Sequence, residues 1–233
     1  MKNVLALFFL VFAILVQSLN VFAFEALDTA KKQLVERARL YTGLGDPDFR
    51  IQNELEPLVQ MILTLSPQPP VKERIDLLVG SWQQIWGPYE YRNDDRGVDR
   101  RLKTDEIYQR IFKEGYYYNV SPNFTGKGGE YISLLKGVYS VDKKQRDLLN
   151  VSFRKLTRLN KRPTDKEIWD LPPLSEAGTL ENEIKSLPNF FVRLFFEGGS
   201  LQEVYTDEDL RILYATNNQN FKRPYLYVMV RVK

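Results

Sequence analysis

Three consecutive carboxylates, Asp207-Glu208-Asp209, stand just before Arg211, and a second acidic pair, Asp94-Asp95, lies between Arg92 and Arg96. Clustered carboxylates are the residue type for general acid–base work or for holding a hard cation. Neighbours on an extended chain alternate faces, so at most Asp207 and Asp209 can converge. The spacing favours an acidic turn that bonds its own backbone and pairs with Arg211. Asp94 and Asp95 read as a solvated loop. The chain has no histidine and no cysteine. That excludes Ser-His-Asp and Cys-His nucleophilic schemes, zinc sites built on His or Cys, thiol redox chemistry, disulfides and a lipoprotein anchor. Chemistry here would rest on carboxylates, Lys, Arg, Tyr or Ser alone. The expectation is a protein with no catalytic residues, no metal and no cofactor.

Aromatic side chains form the second group. Trp82, Trp86, Tyr205, Tyr214 and Tyr227 fall on segments that read as strands, where they either line a ligand cavity or fill a core. Arg193 and Arg211 alternate with apolar neighbours, Arg193 with Phe191 and Phe195, Arg211 with Leu213. These two are the polar groups expected to face a barrel interior or its mouth.

The elements that would position these residues begin near Leu77. From there the chain breaks into short Val-, Ile-, Tyr- and Phe-rich segments separated by turn residues. Strands are expected over 77–86, 107–112, 116–120, 131–141, 148–159, 190–197, 201–205, 209–215 and 225–232. Residues 87–101 and 160–188 read as polar connections. Turns are expected at Lys113-Glu-Gly115, Asp142-Lys-Lys-Gln145 and Gly198-Gly199-Ser200. About eight or nine strands without βαβ alternation give an antiparallel barrel, with a sandwich as the alternative. The fold class is therefore mainly β with N-terminal helices.

Two helical stripes precede the strands. Leu27, Ala30, Leu34, Ala38 and Tyr41 form one, with Asp28 in its first turn; Ile51, Leu55, Leu58, Ile62 and Leu65 form the other. Pro57 fits a first turn, so the second helix is expected to start near Glu56. The stripes suit packing against the following sheet; a partner-docking or membrane-surface pair is the other reading. Ser66-Pro-Gln-Pro-Pro70 reads as a stiff joint.

Lys2, the apolar run Val4–Val16 and Val21-Phe22-Ala23 have the pattern of a secretory signal, with cleavage expected after Ala23. The expected division is a signal over 1–23, a helical segment and joint over 24–70, and a barrel over 71–233. Export to a periplasm or an equivalent lumen, or secretion, would follow. An uncleaved anchor is the alternative, against which Gln17, Ser18 and Asn20 interrupt the apolar run. Net charge is only +3, with 43% hydrophobic and 13% aromatic residues. That suits a sizeable core and gives no basic stripe for nucleic acid.

Gly80-Ser-Trp82 followed late in the chain by Arg211 resembles the Trp–Arg closure of lipocalin-like barrels. Here Gly80, Trp82 and Arg211 would seal one end, the guanidinium resting on the indole. Over nearly all of the mature chain the sequence resembles the plastid lipid-associated protein, or fibrillin, family. The matching residues are Leu78-Val-Gly80-Ser-Trp82 with Trp86 following, and Tyr205-Thr-Asp207-Glu-Asp209-Leu210-Arg211-Ile212 before a last hydrophobic strand. Thr206 and Leu213-Tyr214-Ala215 depart from the family pattern, and a signal stands where plant members carry a transit peptide, as expected of a divergent bacterial relative.

The resemblance implies a non-enzymatic protein that binds a lipid or isoprenoid in, or at the mouth of, a lipocalin-like barrel. Trp82, Trp86, Arg193, Tyr205, Arg211, Tyr214 and Tyr227 would be the ligand-contacting candidates, and peripheral association with a membrane would fit. Two alternatives stay open. One is a filled barrel with the N-terminal helices as a protein-docking surface; the other is a carboxylate-dependent enzyme acting on a lipophilic substrate.

Overall fold

A computed structural model of the chain describes residues 2–44, 46, 48–87, 92–93, 99–100, 107–124, 130–159, 164, 166–167, 170, 199–217 and 223–232. Helix α1 (Lys2–Leu40) is followed by α2 (Arg50–Leu65). A 3-10 turn (Val71–Arg74) runs into the short α3 (Ile75–Leu78). The strands are β1 (Gly80–Trp86), β2 (Arg92–Asn93), β3 (Asp99–Arg100), β4 (Tyr108–Phe112), β5 (Tyr116–Phe124) and β6 (Glu130–Val141). After them come β7 (Leu148–Leu159), β8 (Gly199–Thr206), β9 (Leu210–Asn217) and β10 (Tyr225–Arg231).

Eight strands form a closed antiparallel barrel in the order β1-β10-β9-β8-β7-β6-β5-β4, while β2 and β3 pair as a separate ribbon. Closure comes from β1, which pairs with both β10 and β4. The barrel is thus of the expected class. The Lys113–Gly115 and Asp142–Gln145 turns fall where the sequence places them, at one end of the barrel. Gly199 and Ser200 are not a turn: they begin β8, paired with Val151 and Asn150 of β7 and with Asn217 and Thr216 of β9. The strand expected over 190–197 lies outside the described residues.

Three register shifts bend the wall, between Gln84 and Trp86, between Lys136 and Gly137, and between Glu203 and Tyr205. A bulge puts two consecutive residues on one face and reverses the alternation beyond it. This decides which aromatics look inward.

The helices pack on the outside of the barrel. Ala30, Leu34, Ala38, Leu55, Val59 and Ile62 share one buried cluster with Ile85, Trp86, Tyr205, Leu210, Ile212, Leu226 and Val228. Their apolar stripes are therefore covered by strands β1, β8, β9 and β10. Polar contacts fix the docking: Lys31 Nζ lies 2.5 Å from Asp207, and the Thr42 hydroxyl donates to the Ile85 carbonyl at 2.7 Å. Gln52 behaves like an extra strand residue, donating to the Pro224 carbonyl and accepting from the Leu226 amide.

Both helices start earlier than their stripes suggest. Helix α1 is continuous from Lys2, so Asp28 lies well inside it, pairing with Lys32 one turn on. Helix α2 begins at Arg50 because the Asp46 carboxylate accepts from the Ile51 and Gln52 amides at 3.0 and 2.8 Å. Pro57 sits inside α2 on its exposed side, where water can satisfy the carbonyl its ring leaves without a partner.

Candidate functional site

The barrel interior is the site that the fold builds. Val71, Leu78, Trp82, Ile111, Tyr117, Leu149, Val151, Leu213 and Met229 form its buried core. Tyr139, Phe153, Leu201, Ala215 and Tyr227 pack on that core but are only partly buried. An inward-facing residue of a closed barrel that keeps accessible surface keeps it towards the interior or its ends. Eight strands is also the size at which an interior either fills with side chains or holds one small ligand.

One end is sealed. The Trp82 indole N–H donates to the Leu78 carbonyl at 2.8 Å. The guanidinium carbon of Arg231 sits 4.2 Å from the Trp82 ring centroid. The same guanidinium donates to the carbonyls of Leu77, Val79 and Glu208 at 2.5, 2.9 and 2.5 Å. Gly80, at φ 134, leaves the space: a Cβ there would fall well inside contact with Arg231 Nη1. The joint after α2 is more than a spacer, since its continuation Val71–Leu78 crosses this end and inserts Val71 and Leu78 into the interior cluster.

The Trp–Arg closure therefore exists, but its arginine is Arg231 on the last strand, and the expected Arg211–Trp82 contact is corrected. Arg211 instead forms a two-pronged pair with Glu203, its Nε donating to Oε2 at 2.9 Å and Nη2 to Oε1 at 2.5 Å. Both side chains have no exposed surface. Arg211 Nη1 donates to Gln109 and lies 3.6 Å from the Met229 sulfur. Gln109 passes the chain on to Asn119 at 2.9 Å. From the sealing segment, Arg74 donates to Thr206 at 3.0 Å, to the Glu203 carbonyl, and to Asp147 at 3.4 Å. Burial lowers the Arg74 pKa, opposed by Glu203 and Asp147. The result is a hydrogen-bonded polar stripe beside the apolar cluster of the interior. Breaking a buried pair of this kind is costly, because it strands one charge without solvent.

Of the residues expected to meet a ligand, Trp82, Arg211 and Tyr227 face the interior. Three others do not. Trp86 and Tyr205 would share a face with Trp82 and Glu203 under plain alternation, but each follows a bulge that turns it outward beneath the helices. Tyr214 packs there too, opposite in alternation to Arg211 and Leu213. Arg193 lies outside the described residues, as do Asp94 and Asp95.

The acidic turn is structural in its contacts. Asp207 accepts from the Asp209 and Leu210 amides at 2.9 and 2.8 Å, from the Tyr205 hydroxyl at 2.7 Å, and from Lys31. Burial pushes the Asp207 pKa up, yet these bonds outweigh it and hold the pKa below the ordinary value.

Residues that sequence reasoning passed over complete the interior. Glu203 and Arg231 were legible in principle, each alternating with apolar neighbours on its strand. Arg74 and Gln109 carry no such mark. Tyr117 is 3% exposed and lies across Gly137 of the neighbouring strand, where an added Cβ would collide with its ring. Its ring meets Phe153 edge-on, centroids 6.3 Å apart. Burial raises the pKa of the Tyr117 phenol and pushes that of Tyr227 up to about 12. No family model matches the chain, and no curated protein matches it.

Proposed function

We propose that this protein is an exported, non-catalytic carrier or binder of a small hydrophobic molecule, a lipid or isoprenoid, held within its barrel. The observation that carries the reading is the inner face itself: an eight-stranded closed barrel with apolar and aromatic walls. Several inward residues, Tyr227, Phe153, Leu201 and Ala215 among them, keep accessible surface. Each methylene removed from water there contributes about 0.8 kcal/mol, so a chain of modest length is enough for tight binding. One end is stoppered by Trp82, Arg231 and the Val71–Leu78 segment.

Export is supported by Lys2, the apolar run after it and Ala23. The similarity of Leu78–Trp82 and Tyr205–Ile212 to the plastid lipid-associated, or fibrillin, pattern supports kinship with that family and its lipid-associated role. The helix-docking alternative is weakened by the covering of both apolar stripes. The carboxylate-enzyme alternative is weakened by Asp207, whose oxygens are taken up by Lys31, Tyr205 and the turn amides.

Native mass spectrometry of the gently purified protein, paired with organic extraction, tests the reading. A stoichiometric apolar compound released on extraction is the expected result. A ligand-free protein that also fails to bind uncharged hydrophobic fluorophores overturns it.

A further inference from the structure

We infer that the barrel selects a neutral lipid carrying a hydroxyl or carbonyl group, and discriminates against fatty-acid and phosphate anions; this rests on the ligand-binding reading above. The argument is one of charge and of unused hydrogen-bonding capacity.

Among the described residues, the three arginines of the interior and its sealed end, Arg211, Arg74 and Arg231, all have their donors engaged. All three nitrogens of Arg211 are bonded, to Glu203, Gln109 and the Met229 sulfur. Arg74 spends its donors on Asp147, Thr206 and the carbonyls of Pro69 and Glu203. Arg231 spends its own on Leu77, Val79 and Glu208 at the sealed end. Arg211 is matched by the fully buried Glu203, and Arg74 by Asp147, so the stripe carries no surplus positive charge. A carboxylate or phosphate reaching this stripe would shed its water, find the guanidiniums of Arg211, Arg74 and Arg231 already bonded, and meet the Glu203 charge.

Neutral capacity, by contrast, is left over. Tyr117 is 3% exposed and belongs to the interior cluster, and no described residue hydrogen-bonds its hydroxyl. The same holds for the Tyr227 hydroxyl, on the half-buried ring against the same cluster. A phenol hydroxyl set in an apolar interior gains most from an acceptor that enters without water. Burial keeps both phenols protonated well above neutral pH, so each remains a donor. A lipid hydroxyl or carbonyl oxygen is the group that accepts such a bond.

The test uses the full chain and the uncharged fluorophore phenylnaphthylamine, displaced by hexadecanol, hexadecanoate or hexadecane at about pH 8. Hexadecanol is expected to displace it at concentrations lower than hexadecanoate by about tenfold or more. Tyr117→Phe and Tyr227→Phe, which remove only a hydroxyl, are each expected to weaken hexadecanol by about three- to tenfold and to leave hexadecane unchanged. Unaltered thermal midpoints in both variants confirm that folding is not the cause. Hexadecanoate binding as tightly as hexadecanol overturns the neutral selectivity while leaving a ligand-binding barrel. Unchanged hexadecanol affinity in both variants overturns the role of the hydroxyls. Failure of the fluorophore and all three competitors to bind overturns the ligand-binding reading, and this inference with it.

Discussion

The Arg231 guanidinium lies over the Trp82 ring while donating to three backbone carbonyls, so a single side chain ties the last barrel strand to the entry of the first. Cation–π contact of this kind is worth about 0.5–2 kcal/mol, more as it loses water. Arg231→Ala is expected to lower unfolding free energy by about 2–3 kcal/mol, since the carbonyls lose their donors as well. Arg231→Lys should recover part of that. Gly80→Ala should cost a comparable amount, because the added Cβ strikes Arg231 and the residue sits at positive φ. Chemical denaturation measures all three, and an Arg231→Ala protein as stable as the parent would remove the closure from the account.

Arg211 and Glu203 are a buried pair whose two members cannot be judged singly. Glu203→Leu alone leaves a guanidinium stranded in the interior and is expected to cost about 3–5 kcal/mol. Arg211→Leu strands the carboxylate and should cost a similar amount. The double Leu variant should lie within about 1–2 kcal/mol of the parent, since an apolar pair of similar volume escapes the desolvation penalty. A double-mutant cycle reads this coupling directly, and simple additivity of the two single losses would contradict the pairing.

Much of the barrel is legible in the sequence, and what is not has identifiable causes. Leu149, Val151 and Phe153 alternate with Asn150, Ser152 and Arg154, and 148–159 emerges as β7 with the expected bounds despite the register shift at Arg154; Lys113-Glu-Gly115 gives its hairpin because Gly115 supplies the positive φ the turn needs. Trp86 and Tyr205 were misplaced because nothing in their composition announces the bulges before them. Tyr214 could have been assigned outward from its parity with Arg211 and Leu213. Arg211 and Arg231 each alternate with apolar residues near the chain end. Which of them reaches Trp82 depends on register, which pairs Trp82 with Arg231 on the adjacent strand. Only long-range pairing sets that choice. The start of α2 was missed for a different reason, because its cap comes from Asp46, upstream of the apolar stripe.

Asp207 links the acidic turn to helix α1 through Lys31, and this link should be sensitive to acid. Its pKa is held below the ordinary value in the fold. A carboxyl depressed in this way adds stability above its unfolded pKa, near ~3.9, and loses that contribution as pH falls through its folded value. Stability should therefore decline as pH drops below about 4, by an amount that Asp207→Asn removes. Lys31→Met should shrink the same decline without abolishing it, because the turn amides and Tyr205 still favour the ionised form. Urea midpoints measured across the acid range check this, and identical pH slopes for the parent and Asp207→Asn would show that the clasp contributes nothing.

Gly137 decides where the Tyr117 ring can lie. The two residues are cross-strand partners, and the ring occupies the space above the glycine, with Phe153 on the other neighbouring strand. A bare backbone at this point lets an aromatic ring lie along the wall instead of standing in the interior. Gly137→Ala should push the ring off the wall, costing about 1–3 kcal/mol by overpacking and reducing the space for a ligand. The same substitution in a Tyr117→Ala background should be nearly free, because the atoms it would strike are gone. Unfolding free energies of the four proteins, with fluorophore affinity alongside, separate the two effects. Equal costs of Gly137→Ala in both backgrounds would mean that the ring does not rest on the glycine, and that the wall is shaped by something else.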